Sequence, residues 1–471
     1  MKHFSQDDYQ EEDIKELIKQ YQNLKQGRSH AFLEEDDFDR IIDYFDDRED
    51  LTEALHAAET GLEQFPYSAQ LMLRKADMLM ANRKYADALD VLETVALYDS
   101  NDINLYILKT DALLALDKPQ EAALLLESSL HLFSGEERIE LLFELADVYD
   151  DYEEFDKVYD CLQLVLHDDP NNEEALYKIC FWTDFTGRYE ESIQLHNQII
   201  NEYPYNEIAW FNLGSAFQGL KLYEKAIDAY QYALVIEEKF DYAYRNMADA
   251  YLRLRKYKDA IEALEKVMEI AKPEDFIFEA IGHCYHRLHN YGQARFYYKK
   301  ASHLNPDDSR LYYKIAVTYM LEKQYASAVR LLESAMQMHR HNSKYNLAMG
   351  ECMVQLGRFK EAIGCFFTVV KNKPKNIGGW EALIRCLFEG GFYAEAAGQC
   401  IAAIKATDGK PLFYYYYSAA LLCMGKNKEA LLQLTEALQK APHLLKKFID
   451  IHPVALRNSK VVSLIAEYKK K

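Results

Sequence analysis

The sequence has few of the residues that make flexible connections: 18 glycines and 10 prolines in 471 positions. That scarcity excludes long linkers and low-complexity tracts, and 49% hydrophobic residues exclude a disordered chain. No apolar stretch approaches the ~18 to 20 residues that span a bilayer. The start, Met1-Lys2-His3-Phe4-Ser5-Gln6-Asp7-Asp8, has no apolar core of the kind a secretory signal needs. We therefore expect a cytoplasmic protein without a membrane partner. None of the eight cysteines forms a Cys-x-x-Cys pair, which speaks against a zinc or disulfide framework. Glycine-rich phosphate loops, serine or cysteine nucleophile motifs and paired catalytic carboxylates are missing too. His283, His286 and His289 lie beside Cys284, but no carboxylate joins them by spacing, so no metal or cofactor is expected. The expectation is a protein that is not an enzyme.

What the sequence does have is a period. Ala54, Ala88, Ala122, Val158, Ser192, Ala226, Ala260, Ala294, Ala328, Ala362, Ala396 and Ala430 form twelve units, every interval being 34 except one of 36. A fixed period in this range marks stacked helix pairs. Three residues before this position an aromatic recurs, as in Tyr85, Phe155, Tyr189, Tyr223, Tyr257, Tyr291, Tyr325, Phe359 and Tyr393. Twelve residues after it proline recurs, at Pro66, Pro170, Pro204, Pro306, Pro374 and Pro442, where a helix has just stopped. Twelve residues before it stands a second small position: Ala76, Ala146, Gly214, Ala248, Gly282, Ala316, Gly350 and Ser418. Two small positions per unit permit close crossing of two antiparallel helices. Ile42 and Thr110 depart from the second, and Pro119 and Asn427 from the aromatic.

The run Trp210, Leu213-Gly214, Phe217, Tyr223, Ala226, Tyr230, Ala233 resembles the full tetratricopeptide repeat (TPR) signature, and the other units carry it in part, over roughly residues 35 to 443. The resemblance implies an all-α, right-handed superhelical solenoid of antiparallel helix pairs. It also implies a concave face, lined by the first helix of each pair, that binds peptides or proteins. Residues 1 to 34 read as an acidic N-terminal arm with one helix near Asp13 to Gln26. Residues 444 to 471 read as a basic capping segment with a final helical stretch from Lys460 to Tyr468. The two extra residues before unit four fall near Ser134-Gly135-Glu136-Glu137, where the loop should be longer.

Charge points to the partner. The chain carries a net −21; residues 1 to 60 hold 18 acidic against 7 basic residues, whereas residues 440 to 471 hold 8 basic against 2 acidic. Nucleic acid is excluded as a ligand of such a surface, and a basic protein or peptide is its complement. At the inward phase, eleven residues before the alanine, aspartate recurs as Asp43, Asp77, Asp111, Asp147 and Asp249. Aspartate is a poor helix-interior residue, and stacking it costs repulsion. Either a cationic partner or neighbours such as Arg40 and Arg74 must compensate. Four residues earlier stand Phe143, Tyr177, Phe211, Tyr313 and Tyr415, joined by Phe181, Phe185, Tyr242 and Phe388 at neighbouring phases. These are rigid anchors for peptide side chains, and Asn212 and Asn246 can hydrogen-bond an extended backbone. The family's clamp for a C-terminal carboxylate is missing, since Phe211, Ser215, Phe276 and Ala280 stand where its polar residues would be.

The function expected is a protein-interaction scaffold or adaptor. One alternative is head-to-tail self-assembly of acidic arm on basic tail, giving an oligomer. Another is a sensor that takes a small molecule or oligosaccharide on its aromatics.

Overall fold

In the computed structural model the described residues are 6–28 and 32–469, and every regular element among them is helical. Met1–Ser5 of the acidic arm and Lys470 and Lys471 of the basic tail lie outside them. The chain forms two compact units, one ending at Ala243 and one starting at Tyr244. In chain order the helices form twelve pairs, from Glu35–Asp46 with Leu51–Gln64 to Pro411–Cys423 with Asn427–Lys440. Pairs one to six fall in the first unit, and the first helix of pair seven, Asp241–Arg253, begins at the boundary.

Local chemistry sets the helix ends. The recurrent aromatic opens the second helix of a pair in nine cases, from Tyr85–Tyr98 to Tyr393–Ala406. Two residues beyond the recurrent proline a short polar side chain caps the next first helix: Ser68, Asn172, Asn206 and Asn376 accept from the backbone N–H three residues on, at 2.8 to 3.0 Å. Between the two helices of every pair one residue is left-handed. It is glycine in four pairs (Gly187, Gly357, Gly391, Gly425) and a side-chain-bearing residue in the other eight, such as Arg255 and Lys323 with φ of 61° and 60°. Each of the eight carries backbone strain that glycine would relieve. The lengthened loop occurs where expected, from Leu130 to Gly135, between Pro119–Ser129 and Glu136–Asp151.

All ten alanines of the series are fully buried, Val158 and Ser192 nearly so. The position twelve residues earlier and the position four residues later compensate in size. Where the first is glycine the second is a large ring: a Cβ on Gly214 would stand 2.5 Å from the Tyr230 ring, on Gly282 2.7 Å from Tyr298, and on Gly350 2.4 Å from Phe366. Where the first is alanine the second is leucine, as in Ala76 with Leu92, Ala146 with Leu162 and Ala316 with Leu332. Where the first is large the second shrinks, in Ile42 with Ala58 and Ile384 with Cys400, all four fully buried. Ile42 is therefore the same volume divided the other way, which is what a close-packed crossing demands.

Pair five places Cys180 and His196 at these positions. His196 is fully buried. Its Nδ1–H donates to the Ser192 carbonyl at 2.7 Å, and its Nε2 accepts from Asn212 Nδ2 at 3.2 Å. Asn212 Nδ2 also donates to the Leu176 carbonyl at 2.7 Å. Burial pushes the imidazole down to about 4, so the neutral ring is the folded form.

Both ends are covered. The N-terminal helix runs Gln6–Lys25, starting earlier than the expected Asp13. Its Tyr21 is fully buried against Phe45, with centroids 5.9 Å apart, and Lys25 pairs with Glu53 at 2.6 Å. In the second unit Leu445–Ile451 packs on the first helix of pair twelve and Ser459–Lys469 on its second helix, in the manner of a further, shorter pair. Phe448 and Val461 are fully buried there.

Two outcomes follow. Gly350→Ala should destabilise the second unit by about 1–2 kcal/mol through overpacking, despite alanine's better helix propensity. Phe366→Leu alone should cost on the order of 1 kcal/mol as a cavity. The double variant should recover most of both, because Ala with Leu is the combination other pairs use; additive losses in urea unfolding would contradict the complementarity. For His196 the folded pKa lies below the ordinary 6.5, so its stabilisation is complete above 6.5 and is lost as pH falls towards 4, by roughly 3 kcal/mol over the interval. His196→Leu should remove that part of the acid sensitivity of the first unit, measured as the change in urea midpoint between pH 7 and 4.5; an unchanged pH slope would refute it.

Candidate functional site

The first helices of consecutive pairs lie side by side: one on two, two on three, three on four and five on six in the first unit. Residues at one phase of the repeat therefore line up across pairs. In the first unit this gives Asp43, Asp77, Asp111 and Asp147, as expected, together with Asp39 and Glu144, which the sequence reading did not single out.

The carboxylates divide into two groups by their counter-charges. In pairs one and two Arg74 is shared: its guanidinium pairs with Asp43 and lies 3.7 Å from Asp39 and 3.9 Å from Asp77. Of the two cations expected as counterions, Arg74 fills the role and Arg40 approaches Asp37 instead, at 3.9 Å. In pairs three and four Asp111, Glu144 and Asp147 have no basic partner among the described residues. Partial burial pushes the carboxyl groups of Asp77, Asp111 and Glu144 above the usual carboxylate range. On Asp77 the Arg74 guanidinium opposes the shift, while like charge adds to it, from Asp46 on Asp77, from Asp77 on Asp111, and from Asp111, Asp147 and Glu140 on Glu144. The chain of these influences runs from pair one to pair four, so the column is one electrostatic object.

Beyond pair four the face turns aromatic. Tyr177, Phe181, Phe185 and Tyr242 are each more than half exposed. Phe185 meets the Phe155 ring edge-on at 4.7 Å, Phe155 stacks on Trp182 at 5.5 Å, and Phe181 leans on Trp182 at 5.1 Å. Two rings, Phe155 and Trp182, thus hold the two exposed ones rigid. Tyr177 lies within electrostatic reach of Tyr242, and burial, with Glu173 and Glu207, raises its hydroxyl pKa. Asp184 sits one turn from Phe181, and partial burial pushes its carboxyl up as well.

Other expected residues lie elsewhere. Asn212 is buried and committed to Leu176 and His196, so it cannot face a ligand: its phase turns towards the second helix of the preceding pair. Tyr415 is fully buried, its hydroxyl donating to the Ala441 carbonyl at 3.0 Å and its ring 6.2 Å from Phe448 of the capping segment. Phe388 is buried as well. Phe143 and Phe211 are half-buried, the first under the Lys178 ammonium and the second between Tyr230 and Phe240. In the second unit Tyr313 is half-buried and packs against Tyr345 with centroids 5.2 Å apart. Asn246 is half-buried, and Asp249 pairs with Arg253 at 3.4 Å. Of the histidine trio, His289 occupies the left-handed turn position.

The second unit contains a carboxylate on its first helices that has been given its cation. Burial pushes the Glu381 carboxyl up, but hydrogen bonds from Lys447 at 2.7 Å and Tyr416 at 2.8 Å outweigh it and leave the group below the usual range. Lys447 belongs to the capping helix. A lysine laid on this face thus reverses the electrostatic penalty that Asp111 and Glu144 retain.

Comparison with known proteins agrees with the helix pairs. Family models match residues 186–349 (tetratricopeptide repeat protein 21 C-terminal ARM domain), 319–384 and 40–102 (both tetratricopeptide repeat). No curated protein matches the chain. Among solved structures, the Cut9-Hcn1 hetero-tetramer of APC/C is 12% identical, covering 83% of this chain and 97% of its own, with TM-score 0.35. The C-terminal part of a TPR protein from Cytophaga hutchinsonii is 16% identical over 54% and 99%, with TM-score 0.42. YrrB, described as a TPR protein with an unusual peptide-binding site, is 17% identical over 40% and 96%, with TM-score 0.36. With a 34-residue period in the sequence, a helix pair for each period and three family models in agreement, the chain is a tetratricopeptide-repeat protein.

Proposed function

We propose that this protein is a non-catalytic scaffold whose first unit holds a basic segment of a partner polypeptide along the acidic and aromatic face of its first helices. Proteins of the family are generally interaction scaffolds. The observation that carries the particular reading is the cost of Asp111 and Glu144: carboxylates that are partly desolvated, repelled by neighbouring acids and without a basic partner among the described residues weaken the free fold. Groups that cost stability without compensation inside the molecule mark a surface shaped for something else. Lysine or arginine side chains of a partner would supply what Lys447 supplies to Glu381. Apolar residues of the same segment would then meet Tyr177, Phe181 and Phe185, whose rings lose little entropy on binding.

The pH linkage gives a test free of any ligand. A carboxyl whose folded pKa is raised contributes favourably below the ordinary carboxylate range and loses that contribution as pH rises through the folded value. Asp111→Asn with Glu144→Gln should therefore raise the melting temperature at pH 7.5, by about 1–3 °C, and the gain should shrink at pH 4.5. The same variant should weaken a fluorescein-labelled peptide of alternating lysine and leucine at least tenfold at low salt. Phe181→Ala with Phe185→Ala should weaken it in a salt-independent way. Full binding by both variants, or a lowered melting temperature for the first, would refute the proposal.

A further inference from the structure

The second unit carries a surface of opposite sign. Between pairs nine, ten and eleven, the connections His339-Arg340-His341-Asn342 and Lys373-Pro374-Lys375-Asn376 run along one edge. They enclose an open cavity of about 570 Å³ whose lining includes Arg310, Lys314, His341, Lys344, Lys373 and Tyr313 and no acidic side chain. Lys314 is engaged by Glu279 and Arg310 by Asp308 at 2.8 Å. Lys344 and Lys373 are exposed and have no acidic partner among the described residues. In a chain of net charge −21, two unpaired lysines flanked by Arg340 and Lys371, with Lys375 close by and paired to Asp408 at 3.6 Å, are a concentration of positive charge against the general field.

The walls are built. Asn372 Nδ2 donates to the His341 carbonyl at 3.2 Å, tying the two connections together. Asn346 Nδ2 donates to the Arg340 carbonyl at 2.9 Å, and the Tyr345 hydroxyl bonds Ser309 at 2.9 Å. The Tyr313 and Tyr345 rings pack together as the floor. A rigid aromatic floor with cations around its rim suits a chain that has carboxylates at intervals and an apolar body between them.

We propose that this cavity binds an acidic segment of a partner polypeptide. It stands on observations separate from the face of the first unit, and either can fail alone. A nucleic acid would need a continuous cationic track, and the surrounding field of this chain repels one. Lys344 and Lys373 would take the carboxylates, while Tyr313 would carry an apolar or aromatic residue between them.

The test uses the full chain and a fluorescein-labelled peptide of alternating glutamate and tyrosine, followed by anisotropy at low and at physiological salt. Lys344→Glu with Lys373→Glu should raise its Kd at least tenfold. Lys405→Glu with Lys428→Glu, the same charge change at exposed positions away from the cavity, should raise it less than threefold. The lysine-leucine peptide should bind both double variants no more weakly than the parent, which separates this outcome from failure of the first face. Equal losses in the two variants would show a diffuse field rather than a site and overturn the proposal. So would a single-stranded oligonucleotide of matched charge that binds as tightly through Lys344 and Lys373. Circular dichroism melts within 2 °C of the parent confirm that a loss is not unfolding.

Discussion

The crossing of the two helices within each pair is the constraint from which the rest follows. A buried alanine on the second helix lets the first approach, and the remaining space is filled once, by a ring against glycine, leucine against alanine, or isoleucine against a small residue. A close-packed interior tolerates redistribution of volume but not its increase. Repeating that crossing with one period brings first helices side by side, and only then do residues 34 apart in sequence become neighbours in space. The acid column is a product of this registry: Asp77 and Asp111 sense one another because Ala88 and Ala122 are equivalent.

Registry also explains why the two units can differ in chemistry without differing in architecture. The crossing uses a few phases of each repeat and leaves the outward phases of the first helices free to vary. The first unit spends them on carboxylates and exposed rings. The second supplies its own lysine to Glu381 from the capping helix and gathers cations at the connections instead. Stability and recognition thus draw on different positions of one repeat, which lets the recognition residues carry a cost that the crossing absorbs.

The fold could be read from the sequence because its signals are periodic and local: alanine in ten of the twelve units, the aromatic in nine and proline in six each answer one backbone or packing requirement. The polar caps two residues past Pro66, Pro170, Pro204 and Pro374 were equally legible, at Ser68, Asn172, Asn206 and Asn376, and would have fixed the start of those first helices. The site was legible in part. Asp77, Asp111 and Asp147 announce themselves as poor helix formers in phase. Glu144 does not, since glutamate is ordinary in a helix, although its place three residues before Asp147 puts it on the same face. Asn212 and Tyr415 were read as ligand contacts because phase alone cannot tell a face from its border. Whether a border residue is covered depends on its particular neighbours, His196 for Asn212 and Phe448 for Tyr415. Such contacts join segments 16 and 33 residues apart and appear only once the helices are packed.

The measurement that bears most directly on the central claim is a side-chain carboxyl titration of Asp111 and Glu144 by carbon-13 NMR, in the free protein and with the lysine-leucine peptide bound. The account predicts pKa values above those of exposed carboxylates in the free protein, falling below them when the peptide is present, as Glu381 is held low by Lys447. Ordinary values in the free protein, or values that do not move on binding, would contradict it.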